Sequence, residues 1–311
     1  MDNRIKVGTR DSVLALQQTQ WVVEELKRYW PQYDFVIVPM KTKGDKILDV
    51  ALAKIGDKGL FTKELETALL AGEIDLAVHS MKDLPTKLPQ GLIISAMTER
   101  HDPRDVLVST NNYNLQTLPP GAKIGTSSLR RRAQLLHKRP DLRVEDLRGN
   151  INTRLAKLEK EGFAAIMLAA AGLSRLGLED RISTWFSPEE IVPAVGQGSI
   201  GVESRENDER ITEIVAVIDH WETRVAITAE RAFLRTLEGG CQIPIGAYGE
   251  VKKEGLVLTG VVASLDGTRL IRQAMTDAPQ NAPSLGEKLA ELMRSQGAQE
   301  ILNQVLQEIE R

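Results

Sequence analysis

Apolar positions along this chain alternate between two rhythms, and the switch repeats through its first two thirds. Residues 4–9 place Ile5 and Val7 at every second position, the period of a strand. Ser12 follows as an N-cap candidate, and Leu14, Leu16, Trp21, Val22 and Leu26 then fall at helical spacing. Residues 34–40 predict an apolar strand, and residues 60–70 a helix that stops at Gly72. Two more strands are predicted at 74–79 and 92–97. The polar, proline-bearing stretch 100–105 then suits a chain leaving its first unit.

A second alternating set follows. A short strand at 123–125 runs into Thr126, Ser127 and Ser128, which cap a helix from 129 to 138, closed by Pro140. A strand is expected at 142–147. Asn150 or Asn152 caps a helix over 153–160, and 164–170 forms a buried strand. The proline and glycine break at 192–198 predicts a return crossing, with 199–204 a strand rejoining the first unit. The last third changes character. A helix over 221–237 leads to strands at 245–251, 256–263 and 269–276, with hairpin turns at 253–255 and 265–267. Helices over 284–294 and 298–309 would cover one face.

The fold class expected is therefore α/β, with two lobes joined by two crossings and a small C-terminal α+β domain. Domain 1 comprises 1–99 and 199–217, domain 2 comprises 104–193, and domain 3 comprises 221–311. Two such lobes make a cleft, and helix N-termini at the carboxyl ends of strands point into it. Those termini favour anions, so the architecture alone predicts an acidic ligand.

Composition narrows the classes. Of 311 residues, 42% are hydrophobic and 27% charged, and the net charge is -3, so bulk electrostatics favours neither nucleic acid nor a membrane surface. The apolar run Phe163 to Leu173, broken at Gly172, is too short to span a bilayer. The N-terminal stretch lacks the apolar core of an export signal. Together with a single cysteine, this gives the expectation of a reducing cytoplasm. A lone thiol can build neither an internal disulfide nor a multi-cysteine metal site, and no metal is expected.

Charge is distributed unevenly. Between Lys123 and Arg181 there are 13 Lys and Arg against 7 Asp and Glu. Arg130 and Arg131 lie in the first turn of a helix, where a cation opposes the helix dipole unless an anion joins it. Arg148 follows a strand, Arg154 begins the next helix, and Arg10 follows the first strand beside Ser12. Guanidinium forks at such positions suit carboxylates. Arg132, Lys138, Arg139 and Arg143 are left to surface ion pairs. Aromatic content of 4% gives the arginine run little means of stacking on bases.

Asp83 and Lys82 follow the 74–79 strand at its carboxyl end, where catalytic groups collect in α/β folds. A carboxylate fixed among arginines can accept N–H donors and stabilise a developing cation. His79 is expected to be a satisfied structural histidine. Glycine and lysine flank the weakly patterned segment 42–59, a candidate lid. Cys241, in Glu238-Gly239-Gly240-Cys241, has two glycines before it that leave room for close approach.

Taken in order, these segments resemble the porphobilinogen deaminase family over essentially the whole chain. The matching stretches are Gly8-Thr9-Arg10-Asp11-Ser12, Lys54 to Phe61, His79 to Asp83, Gly125 to Arg131, Leu147 to Asn150, Pro193 to Gly198, and Glu238 to Cys241. The resemblance implies lobes like those of periplasmic binding proteins and a dipyrromethane cofactor held by a thioether to Cys241. It implies a monomeric transferase that joins four porphobilinogen units head to tail with loss of ammonia and releases hydroxymethylbilane by hydrolysis, for tetrapyrrole and haem biosynthesis. Asp83 is then catalytic. Lys82, Asp83, Thr126, Ser127, Ser128, Arg130 and Arg131 bind the cofactor. Arg10, Ser12, Arg148, Arg154 and Arg175 bind incoming or transferred units, and Lys54, Lys58 and Phe61 belong to the lid. The alternative is a non-catalytic two-lobe binding protein for a small polycarboxylate; the presented thiol speaks against it.

Overall fold

Three sheets organise the chain in the computed structural model, which describes residues 3–46, 59–237 and 243–310. In the first, β1 (Arg4–Arg10), β2 (Asp34–Met40), β3 (Leu76–Ser80) and β4 (Leu92–Met97) are joined by a strand from late in the chain, β10 (Ile200–Arg205). The order is β2-β1-β3-β10-β4, with β1 parallel to β2 and β3, and β10 antiparallel to both of its neighbours. Ile5, Val7, Leu76, Val78 and Val202 pack against Val22, Val23 and Leu26 of the Val13–Tyr29 helix.

The second sheet repeats this plan. It contains β5 (Asp105–Ser109), β6 (Lys123–Gly125), β7 (Arg143–Glu145), β8 (Ala165–Ala169) and β9 (Thr184–Phe186), in the order β7-β6-β8-β5-β9. Here β5 is the antiparallel strand. In each sheet the antiparallel strand is the one that arrives from the other lobe, so the two crossings and the two reversed strands are one feature.

The third unit is a meander of β11 (Ile245–Lys252), β12 (Gly255–Ala263) and β13 (Leu270–Asp277). Helices Trp221–Thr236, Ala282–Ser295 and Ala298–Glu310 accompany it, burying Phe233, Leu289, Met293 and Ile301 against Leu256 and Leu258.

Several elements differ from expectation. The strand β5 begins at Asp105, where a linker was expected to end, and Val106, Leu107 and Val108 are all buried. The Ala170–Arg175 helix continues directly from the buried strand β8, with no polar break to mark the change. β9 has three residues, too few for a pattern. The Glu209–Ala216 helix is set by Asp208, which accepts from the Ile211 N–H, and by buried Ile211, Ile214 and Val215. β7 is shorter than expected because Leu147 turns into the core while its N–H donates to Ser127 Oγ. Of the two capping candidates, Asn150 is the one used, for a helix over Ile151–Lys160. Among the described residues no helix is long and apolar enough to cross a membrane, and no cluster is arranged to hold a metal ion.

Candidate functional site

The carboxyl ends of β1 and β3 deliver the first group of side chains, as expected where strand order reverses in an open α/β sheet. β1 ends at Arg10, and Ser12 Oγ caps the next helix by accepting from the Ala15 N–H at 3.4 Å. The Arg10 guanidinium lies 4.4 Å from the Phe61 ring centroid and 3.6 Å from Asp83 Oδ2. Phe61 sits so close to Gly44 that a Cβ there would lie 2.3 Å from its Cε1.

Asp83 ends a short 3-10 turn, Met81–Asp83, directly after β3. The turn is fastened at its start by the Met81 N–H donating to Ser199 O at 3.0 Å. The second crossing presses against it. Gly196, at φ +72, leaves room where a Cβ would meet Met81 Cβ at 2.9 Å. His79 is buried against Glu203 at 3.0 Å, in keeping with a structural histidine.

From the second lobe, β6 ends in Thr126, Ser127 and Ser128. Thr126 Oγ1 accepts from the Ser128 N–H at 3.2 Å, Ser127 Oγ from the Leu147 N–H at 3.1 Å, and Ser128 Oγ from the Arg131 N–H at 3.4 Å. Each hydroxyl acts as an acceptor in fixing the loop, which leaves its O–H proton for a further bond.

Arg130 and Arg131 turn toward Asp105, a wholly buried residue that the sequence reading left out of the site. Arg130 Nη1 reaches Asp105 Oδ2 at 2.5 Å and Val192 O at 2.7 Å. Arg131 places Nε and Nη2 on Oδ1 at 3.0 and 2.8 Å, with Nη1 on Met167 O at 3.1 Å. Gln197 Nε2 adds a bond to Oδ1 at 2.9 Å. The anion demanded by cations in a helix's first turn is therefore partly supplied from within. Burial alone would raise the Asp105 carboxyl pKa, but the two guanidiniums and the hydrogen bonds outweigh it and hold it below the usual range. Arg130 keeps Nε and Nη2 without a hydrogen bond among the described residues, so its fork is half used.

The remaining cations are desolvated. Lys82 keeps part of its side chain accessible, yet its ammonium is lowered to about 8 by desolvation and then by Arg131, against the opposing pull of Asp83 and Asp105. Desolvation, Arg131 and Arg148 lower Arg154 to about 10, opposed by Asp83. Arg154 Nε donates to Gly149 O at 2.8 Å. Arg175 is also lowered to about 10 by burial, and its Nη2 holds Gly198 O at 2.8 Å. Burial lowers Arg148 too, with Asp146 opposing. Arg154 thus feels Asp83, and Lys82 feels Arg131 and Asp105, across the two lobes. A group bearing several carboxylates fits this set, because each anion would relieve a desolvated cation. Cys241, Lys54 and Lys58 lie outside the described residues.

The signal for Asp105 was present: an acid standing directly before Val106-Leu107-Val108. Reading 100–105 as a linker hid it. Gln197 offered no such signal, since its partner is 92 positions away.

Residues 5–213 match a family profile described as "Porphobilinogen deaminase, dipyromethane cofactor binding domain", and residues 224–295 match "Porphobilinogen deaminase, C-terminal domain". A porphobilinogen deaminase of Desulforamulus reducens is 56% identical over 305 residues, covering 98% of this chain and 99% of its own. One from Nostoc sp. is 53% identical over 310 residues, covering 99% of this chain and 96% of its own. Among solved structures, the methionine-binding protein MetQ aligns over 70% of this chain and 91% of its own, at 16% identity and a TM-score of 0.44.

Proposed function

Because this chain belongs to the porphobilinogen deaminase family, we propose that its cleft carries out the family's polymerisation, with Asp83 as the catalytic group and Cys241 as the attachment point of the primer. The protein is a transferase of tetrapyrrole biosynthesis that joins porphobilinogen units with loss of ammonia. The observation that carries the site assignment is the convergence of desolvated cations, Lys82 and Arg154 among them, on one partly exposed carboxylate, Asp83, with Arg10 3.6 Å from it.

A dipyrromethane joined to Cys241 by a thioether supplies the pyrrole carbon onto which the first unit is added. Lys82, Arg131 and the half-used fork of Arg130 take its carboxylates, and the hydroxyls of Thr126, Ser127 and Ser128 donate to them. Arg10, Ser12, Arg148, Arg154 and Arg175 take the acetate and propionate groups of incoming and transferred units. Their lowered pKa values at Arg148, Arg154 and Arg175 return toward normal as each carboxylate arrives, which favours binding.

Loss of ammonia from porphobilinogen leaves a cation. The Asp83 carboxylate stabilises that charge, accepts the pyrrole N–H, and removes the proton displaced from the newly bonded ring carbon. Arg10, 3.6 Å away, orients the carboxylate and stacks on Phe61, which faces the pyrroles. We propose a monomer acting in the cytoplasm, a reducing compartment that suits a single thiol.

Incubation with porphobilinogen tests the activity. Release of ammonia in a fixed ratio to a linear tetrapyrrole is expected. Binding of porphobilinogen that leaves it intact would instead favour a polycarboxylate-binding protein.

A further inference from the structure

The turn that carries Asp83 is held from two sides, and the second hold comes from the third unit. Arg231, on the Trp221–Thr236 helix, is 8% exposed. Its Nη2 donates to Pro85 O at 2.6 Å and its Nη1 reaches Leu84 O at 3.4 Å. These are the two carbonyls that directly follow Asp83. Pro85 has no N–H to anchor the chain, so its carbonyl is the polar handle it offers. One helical turn earlier, Ile227 packs on Met81 and Leu84, the residues flanking Lys82 and Asp83. The helix itself is fixed by the neighbouring Glu230, which is fully buried. Glu230 accepts from the N–H groups of Gly196 at 2.7 Å and Gly249 at 2.8 Å, and from Arg100 Nη2 at 2.8 Å. Arg100 and Gly196 lie on the two crossings, so the helix is tied to both of them.

We infer that Arg231 is a positioning residue for Asp83: it clamps the Leu84 and Pro85 carbonyls and so fixes where the carboxylate stands relative to the unit that bears Cys241. The inference rests on the catalytic reading of Asp83. Arg231 sets the aim of a group it does not touch. A carboxylate misplaced by about 1 Å can lose up to a hundredfold in rate, so loosening this clamp is expected to act on turnover more than on binding.

The test uses the cofactor-loaded enzyme. Arg231→Gln and Arg231→Lys are each made with Asp83 intact and in the Asp83→Glu protein, and kcat, KM, cofactor mass and thermal midpoint are measured. With Asp83 intact, Gln should lower kcat about tenfold or more with KM within about twofold, and Lys, keeping one donor, should fall between Gln and the parent. In the Asp83→Glu protein, where the carboxylate is already displaced, the same substitutions should cost less than about twofold. A parental kcat in both variants, or an equal fold loss in the two backgrounds, would overturn the inference. If the Gln protein cannot be obtained folded, the Lys pair decides by the same comparison. Asp83→Glu and Asp83→Asn measured alone report on the catalytic reading itself, so its failure is distinguishable from that of the Arg231 assignment.

Discussion

Arg131 grips Asp105 side-on, with Nε and Nη2 at 3.0 and 2.8 Å from Oδ1, while Arg130 occupies the opposite oxygen. This buried triad joins the first strand of the second lobe to the helix that opens the cleft. It also consumes part of the cationic charge that the sequence assigns to ligand.

Asp105→Asn should therefore be strongly destabilising, because two buried guanidiniums would lose their counter-charge; removing one partner of a buried ion pair costs about 3–5 kcal/mol. The sign with pH follows from the lowered Asp105 pKa. A carboxyl whose folded pKa is depressed stabilises above its unfolded value, about 3.9, and that contribution is lost as pH falls through the folded value. The gap in thermal midpoint between parent and Asn protein should thus persist at pH 5 and narrow only in strong acid. Equal midpoints at pH 7 would contradict the triad's role.

The rhythm of apolar positions predicted both lobes, the two crossings and the C-terminal meander, because amphipathic strands and helices carry their period in the sequence. It missed β5, β9 and the Ala170–Arg175 helix, where the elements are short or buried on all sides and no period exists. Around the candidate site, the positions of Arg10, Lys82, Asp83, Arg148 and Arg154 relative to the elements were legible, because each follows a strand or opens a helix. The partnership of Arg130 and Arg131 with Asp105 was not, since it spans 25 and 26 positions and depends on a strand read as a linker.

Asp83→Asn should keep the fold and lower turnover by roughly a hundredfold or more, since a neutral amide cannot stabilise the cation left by ammonia loss. Asp83→Glu keeps the charge, displaced by one methylene, and should retain more activity than Asn. A turn-capping Asp predicts the reverse order, with Asn a good substitute. Steady-state turnover of the two proteins, each checked for bound cofactor by mass, separates these outcomes.

Lys82 gives a second pH signature. Its folded value of about 8 lies below the usual lysine value, so the charged form is disfavoured in the fold and stability rises as pH climbs from about 8 toward 10.5. In Cys241→Ala protein, which should lack the primer's carboxylates, Lys82→Met removes that burden. The Met protein should therefore gain on its Lys counterpart at pH 7, and lose this advantage by pH 10. A difference in thermal midpoint that does not change with pH would show that Lys82 is not desolvated.

The arginines away from Asp105 should serve elongation. Arg148→Leu, Arg154→Leu or Arg175→Leu should leave the primer mass unchanged but let enzyme forms with fewer added pyrroles accumulate after a brief substrate pulse. Mass spectra read this ladder directly, and a parental ladder in all three would refute the assignment.

Intact mass of the purified protein, beside that of Cys241→Ala, tests the central claim most directly. The parent should exceed its sequence mass by one covalent dipyrrole, and the Cys241→Ala protein should match its sequence mass and be inactive. A parent at its bare sequence mass, or the same adduct on the Cys241→Ala protein, would contradict it.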